Sequence, residues 1–213
     1  MALKARFWNR AARKYAAAPI ADQAGYEATI GRVEGMLGPD DEVLEIGCGT
    51  GSTALRLAPH VRRWLATDVS ADMIAIARDK LVAQPTTGLA FAVADADGPV
   101  VSAGTFDAVM AFNLLHLVHD LPAALRQVAD ALRPGGRFIS KTPCVAEMNP
   151  LVGKLLIPVM QAFGKAPHVL CLRTAQLEQA IRDSGLDILA LEWHGTRGRD
   201  IRPFIVARKT PMP

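Results

Sequence analysis

Apolar residues in this chain gather in short runs separated by longer amphipathic stretches. Val43, Leu44 and Ile46 form one such run, closed by Gly47, Gly49 and Gly51. Residues 64–67, 89–93, 106–113 and 138–140 are runs of the same kind. Each is rich in aliphatic, β-branched or aromatic residues and reads as a strand buried in a sheet. The stretches between them instead repeat apolar residues at helical spacing. Residues 52–58, a stripe of Met73, Ile74, Ala77 and Leu81, and residues 121–132 read as helices. Ser70 is a good N-cap for the second of these, and Asp72 places an acid in its first turn. Strand and helix alternate from residue 43 to 140, which predicts an α/β fold with a parallel sheet.

The flanks follow other patterns. Leu3, Phe7, Ala11 and Tyr15 recur at near-helical spacing, with Trp8 beside them and Pro19 as the stop. A second helix is expected over 22–36. Residues 143–172 break the alternation with Pro143, Pro150, Pro158 and Pro167 around apolar runs, which suits a hydrophobic pocket wall. Met148 and Met160 there adapt to varied shapes. Thr174 is expected to cap a helix that Gly185 ends, and residues 186–193 and 203–208 read as two last strands.

Length and charge narrow the class. The chain has 213 residues, half of them hydrophobic, enough for one domain with a full core. Its net charge of +3 is too small to demand a nucleic-acid partner, and there is no basic run or zinc spacing. Cys48, Cys144 and Cys171 are odd in number and fit no metal motif, so reduced thiols and a cytoplasmic location are expected. No apolar stretch reaches the length of a transmembrane segment, and a monomer or homodimer is expected.

The chemistry concentrates at the first strand. A strand, a glycine turn and a helix place a ligand at the carboxyl end of a parallel sheet, where α/β proteins bind nucleotides. The third glycine of G-x-G-x-x-G is missing, since Ser52 stands there, and no G-K-[ST] follows. Asp68 ends the second strand nineteen residues after Gly49, the register at which a carboxylate grasps a ribose diol.

The string Glu45-Ile46-Gly47-Cys48-Gly49-Thr50-Gly51 resembles the first motif of class I S-adenosylmethionine-dependent methyltransferases. Phe106-Asp107-Ala108-Val109 and Leu132-Arg133-Pro134-Gly135-Gly136-Arg137-Phe138 resemble later landmarks of that superfamily, so the likeness covers about residues 40–142. The small-molecule group with the ubiquinone and menaquinone biosynthesis methyltransferases is the nearest in pattern. The resemblance implies a doubly wound, Rossmann-like sheet of seven strands ending in an antiparallel hairpin. It divides the single domain into a helical lid (1–37), a cofactor-binding core (38–142), a substrate cap inserted after strand five (143–172) and a C-terminal helix and hairpin (173–213).

It also implies the cofactor, S-adenosyl-L-methionine, with S-adenosyl-L-homocysteine as product. Glu45, Gly47, Cys48, Gly49 and Gly51 would surround its amino-acid and sulfonium part. Asp68 would hold the ribose and Asp95 the adenine amino group, with Asp97 as alternate. Val69, Met73, Ala96 and Asn113 complete the expected set. His116, leaving the fourth strand, is the candidate general base. Tyr15 is a second catalytic candidate, from an N-terminal segment that partly matches the family's lid pattern, although Ala16 replaces the usual acid. A small, apolar or aromatic acceptor is expected. A non-catalytic cofactor-binding protein is the alternative, and a protein or RNA methyltransferase lacks its usual marks. Arg197, Arg199 and Arg202 read as a solvated loop that could bind an acidic substrate group.

Overall fold

A computed structural model of the chain describes residues 2–98, 103–148, 166–195 and 201–210. Five strands pair in parallel: β1 (Glu42–Ile46), β2 (Arg63–Asp68), β3 (Leu89–Val93), β4 (Phe106–Phe112) and β5 (Leu132–Lys141). With β6 (Leu186–Trp193) and β7 (Pro203–Lys209) they form one seven-stranded sheet in the order β3-β2-β1-β4-β5-β7-β6. β7 runs antiparallel to both neighbours and lies between β5 and β6. The last two strands are thus the expected antiparallel pair, with the later strand on the inside.

The helices are α1 (Ala2–Ala17), α2 (Gln23–Glu34), α3 (Ser52–Leu57), α4 (Ala71–Ala83), α5 (Leu121–Ala131) and α6 (Thr174–Asp183). They cover both faces of the sheet. One core packs Leu44, Val109, Phe138 and Ile205 against Leu125 and Val128 of α5 and Leu177 and Ile181 of α6. The other packs Val43, Trp64, Met110 and Phe204 against Ile30 of α2, Leu57 of α3 and Ile74 of α4. Val43 and Leu44 face opposite cores, as the pleat requires. Burying a side chain such as Phe138 or Phe204 stabilises the fold by about 1.5–3 kcal/mol, so the sheet centre is held firmly.

Two local expectations are corrected. Residues 133–137 do not form a turn ahead of the fifth strand. α5 ends at Ala131, Leu132 is already extended and pairs with Phe106, and the ladder resumes at Arg137 opposite Ala108. The register break takes up residues 133–136, with Gly135 at φ +78°. Thr174, moreover, is the first residue of α6 and not its cap. Its hydroxyl and N–H both donate to the Glu147 carboxylate, at 2.6 and 3.0 Å. Ser70 does cap α4, accepting from the Met73 N–H at 3.1 Å. Pro150, Pro158, Met160, Arg197 and Arg199 lie outside the described residues. Among the described residues no helix is long and apolar enough to cross a membrane.

Candidate functional site

β1 lies between β2 and β4, so the helical connections leave it in opposite directions and open a crevice at its carboxyl end. The turn after β1 is shaped by its glycines. Gly47, Gly49 and Gly51 take φ of +69°, +54° and +75°. A Cβ on Gly51 would lie 2.6 Å from the Phe91 ring, and one on Gly47 would lie 2.6 Å from Leu114 Cδ1. Cys48 engages the turn through its backbone, donating its N–H to Thr67 O at 2.9 Å and accepting from the Gly51 N–H at 3.0 Å. Burial drives its thiol far up, so it stays protonated. Lys80 clamps the turn from outside, donating to Thr50 O and Oγ1, each at 3.0 Å.

Asp68 sits at the end of β2. Its Oδ2 accepts from the Gly49 N–H at 3.0 Å and its Oδ1 from the Ser70 N–H at 2.9 Å. Burial raises its pKa, and those two N–H groups oppose the rise. The carboxylate is thus fixed in orientation by the turn and by the start of α4, while each oxygen can accept a further bond.

These elements enclose a cavity of about 330 Å3. Gly47, Gly49, Asp68, Val69 and Met73 line it from the β1 and β2 side. Ala96, Asn113 and His116 line it from β3 and β4, and Tyr15 from α1. Of the other expected contacts, Glu45, Cys48 and Gly51 are not among its lining residues, and Asp95 lines a smaller space of about 40 Å3 that shares Ala94 and Ala96 with it. Glu45 is 3% exposed and its Oε2 has no hydrogen-bond partner. Burial first, then the nearby charge of Asp68, pushes its carboxyl up to about 8; the Trp64 indole opposes this from outside hydrogen-bonding geometry. Asp107 is structural, accepting from the Glu42 N–H at 2.8 Å and pairing with Arg133.

Asp95 and Asp97 are already engaged by another side chain. Lys4 of α1 donates to Asp95 Oδ1 at 2.6 Å and to Asp97 Oδ2 at 3.0 Å, and the Lys4 and Asp95 side chains are 8% and 7% exposed. Burial alone would raise the Asp95 pKa; the Lys4 ammonium and the Asp97 N–H outweigh it and hold the carboxyl below the usual range. Asn9 Oδ1 also accepts from the Ser70 hydroxyl at 2.6 Å, so α1 is tied across the start of α4. Trp8 of α1 lines the cavity.

On the β4 side, Asn113 has a left-handed backbone, φ +54°, which asparagine tolerates better than most residues. Its N–H donates to Lys141 O at 2.7 Å and its Oδ1 accepts from Arg202 at 3.0 Å. His116 lines the cavity with its Nδ1 buried and unpartnered. Burial, and secondarily the charge of Arg202, pushes its imidazole down to about 4. His119 stacks on His168 and gives its backbone N–H to Asp97. Pro143, Pro167 and Val169 supply apolar wall from the described part of the insertion. Sequence patterns did not point to Lys4, Asn9 or Lys141. The only signal for Arg202 was its place in a short arginine-rich loop.

Comparison with known proteins agrees with this architecture. A family profile described as "Methyltransferase domain" matches residues 43–136. The demethylmenaquinone methyltransferase of Beutenbergia cavernae is 30% identical over 182 residues, covering 79% of this chain and 72% of that protein. The reducing polyketide synthase Preu2 of Preussia isomera is 34% identical over 107 residues, but this chain spans only 5% of its length. The crystal structure of an S-adenosylmethionine-dependent methyltransferase from Mesorhizobium loti superposes with a TM-score of 0.70 at 25% identity, over 87% of this chain and 97% of that one. The chain belongs to the class I S-adenosylmethionine-dependent methyltransferases and resembles their quinone-biosynthesis members.

Proposed function

We propose that this member of the family transfers a methyl group from S-adenosylmethionine to an oxygen, nitrogen or carbon nucleophile of a small acceptor. One observation carries the reading: the glycine turn, Asp68, Asn113 and His116 come from separate segments and line one cavity at the switch between β1 and β4. The donor set suits the cofactor. Asp68 offers acceptors to paired ribose hydroxyls, and Asp95 to an exocyclic amino group. Glu45 adds a buried carboxyl oxygen with no partner, close in sequence to the turn. The cofactor would supply a methyl group already activated by a positively charged sulfur.

The chain's own tasks are then alignment, exclusion of water and placement of one proton. In this reading α1 acts as the lid, bringing Trp8 and Tyr15 to the cavity. Tyr15 is 54% exposed overall; partial desolvation at the cavity, with the charge of Asp68 adding to it, raises its pKa, so its phenol stays protonated at neutral pH and can donate a hydrogen bond. His116 stays neutral at neutral pH and can accept a hydrogen bond from the attacking group. An imidazole held near 4 is a weak proton acceptor, so His116 first orients the nucleophile.

Calorimetry tests the cofactor assignment. S-adenosylhomocysteine should bind saturably, and Asp68→Ala should weaken it by roughly tenfold to a hundredfold, the worth of hydrogen bonds to a charged group. Binding of NAD without binding of S-adenosylhomocysteine would overturn the assignment.

A further inference from the structure

α1 holds five cations, Lys4, Arg6, Arg10, Arg13 and Lys14, and no carboxylate. That exceeds the net +3 of the whole chain, so the remainder is net acidic and the charge is unevenly spread. We propose that the outer face of α1 is a docking surface for a lipid bilayer rich in anionic headgroups. The inference goes beyond methyl transfer and does not depend on it.

Only one of the five cations is spent inside the protein. Lys4 is buried against Asp95 and Asp97. Arg6, Arg10, Arg13 and Lys14 are exposed, and among the described residues no ion pair or side-chain hydrogen bond engages them. Asp72 of α4 comes near α1, its N–H 3.5 Å from Asn9 Oδ1, yet its carboxylate pairs with none of the four. Their spacing of i, i+4, i+7 and i+8 sets them on one side of the helix, along about 12 Å of its length. The opposite side is buried at Ala12, where α1 packs on α4. Phe7, half-buried, stands at the edge of the stripe.

A bilayer fits this face better than a nucleic acid. A cluster of about four or more Lys and Arg on one helix face suits anionic headgroups. A helix that reads a groove also offers amide or hydroxyl side chains to base edges. α1 has one such residue, Asn9, and it is engaged with Ser70. The other exposed positions of α1 include Ala16 and Ala17, and Ile20 shortly beyond is 46% exposed. An aliphatic side chain gains from the boundary between headgroups and acyl chains, and gains nothing from a phosphodiester backbone. Trp8 and Tyr15, on the inner side of α1, line the cofactor cavity. Docking would therefore set that cavity one helix diameter, about 10 Å, from the lipid surface.

The test is flotation of the full chain with phosphatidylcholine vesicles, with and without about 30% phosphatidylserine. The chain should float with the anionic vesicles at low ionic strength and not with the neutral ones. About 0.5 M salt should release it, because exposed charges are then screened. Each basic residue at such a surface strengthens binding roughly fivefold, so Arg10→Gln combined with Arg13→Gln should weaken it roughly 25-fold. Lysine at both positions should restore most of the loss. Circular dichroism of each variant shows that it is folded. No binding to the anionic vesicles at low salt, or binding that the double glutamine variant keeps, would overturn the docking surface. Tighter binding to a labelled duplex or single-stranded oligonucleotide than to the vesicles, at the same ionic strength, would overturn it in favour of nucleic acid. S-adenosylhomocysteine is absent from these measurements, so their failure leaves the cofactor reading standing, and failure of that reading leaves the docking surface standing.

Discussion

Glu45→Gln should change how stability depends on pH, and the change has a definite sign. The carboxyl is 3% exposed, one of its oxygens lacks a partner, and burial raises its pKa from 4.5 to about 8. The folded protein therefore keeps a proton that the unfolded chain releases above 4.5. Stability from this group is fully present below the unfolded value and is lost as pH rises toward 8. At 1.36 kcal/mol per pKa unit the whole loss is on the order of 5 kcal/mol. Relaxation around a charged Glu45 lowers that ceiling, and a fall of about 2–4 kcal/mol between pH 5 and 8 is expected. Glutamine is nearly isosteric and does not titrate. Urea unfolding of both proteins across pH 5–9 isolates the group, because other titrations cancel in the difference. The wild type should lose stability relative to the variant as pH rises, with the difference levelling above 8. A constant difference, or one of the opposite slope, would refute the reasoning.

His116→Ala should lower kcat by about 10²-fold or more while the affinity for S-adenosylhomocysteine changes little, and unchanged turnover would remove the residue from the mechanism. Because His116 is depressed to about 4, the kcat profile should show no step near 6.5 that the substitution abolishes. Gly51→Ala must place a side chain at φ +75° and 2.6 Å from Phe91, so it should cost about 2 kcal/mol or more, read as a lower Tm; an unchanged Tm would mean that the turn relaxes freely. Lys4→Met removes the tie between α1 and the Asp95–Asp97 pair, and stopped-flow measurement should show faster release of S-adenosylhomocysteine. An unaltered release rate would show that this ion pair does not hold α1 over the cleft.

Strands and caps were readable wherever a local rule decides them. The apolar run before Gly47 reads as a buried strand and Ser70 as a helix cap, and both are so in the structure, because glycine punctuation and capping act over a few residues. The order of the last two strands was not readable. β7 lies inside β6 because Phe138 and Ile139 of β5 find their partners in Ala207 and Val206, a choice made between segments about seventy residues apart. The run from Arg133 to Arg137 has turn chemistry, yet Leu132 already pairs with Phe106, so the strand absorbs it as a register break. Thr174 has cap chemistry, yet Glu147 takes both its donors.

The site divides in the same way. Asp68 and the glycines follow from their register behind strands, and the structure brings Gly47, Gly49 and Asp68 to one cavity. Lys4 meets Asp95 across 91 residues, and one lysine among several basic residues in a helix carries no mark of that partner. Arg202 and Lys141 become neighbours of one space only because β7 is laid against β5.

α1 thus occupies ground that matters for handling the protein. Lys4 lines the cavity wall with its side chain 8% exposed, so a purification tag or reporter joined ahead of α1 would start beside that space and obstruct exchange of small molecules. β7 runs opposite to the parallel strands, and Lys209 at its end reaches the carbonyl of Leu132, at the far rim of the sheet. Fusions placed after that strand keep the entrance clear.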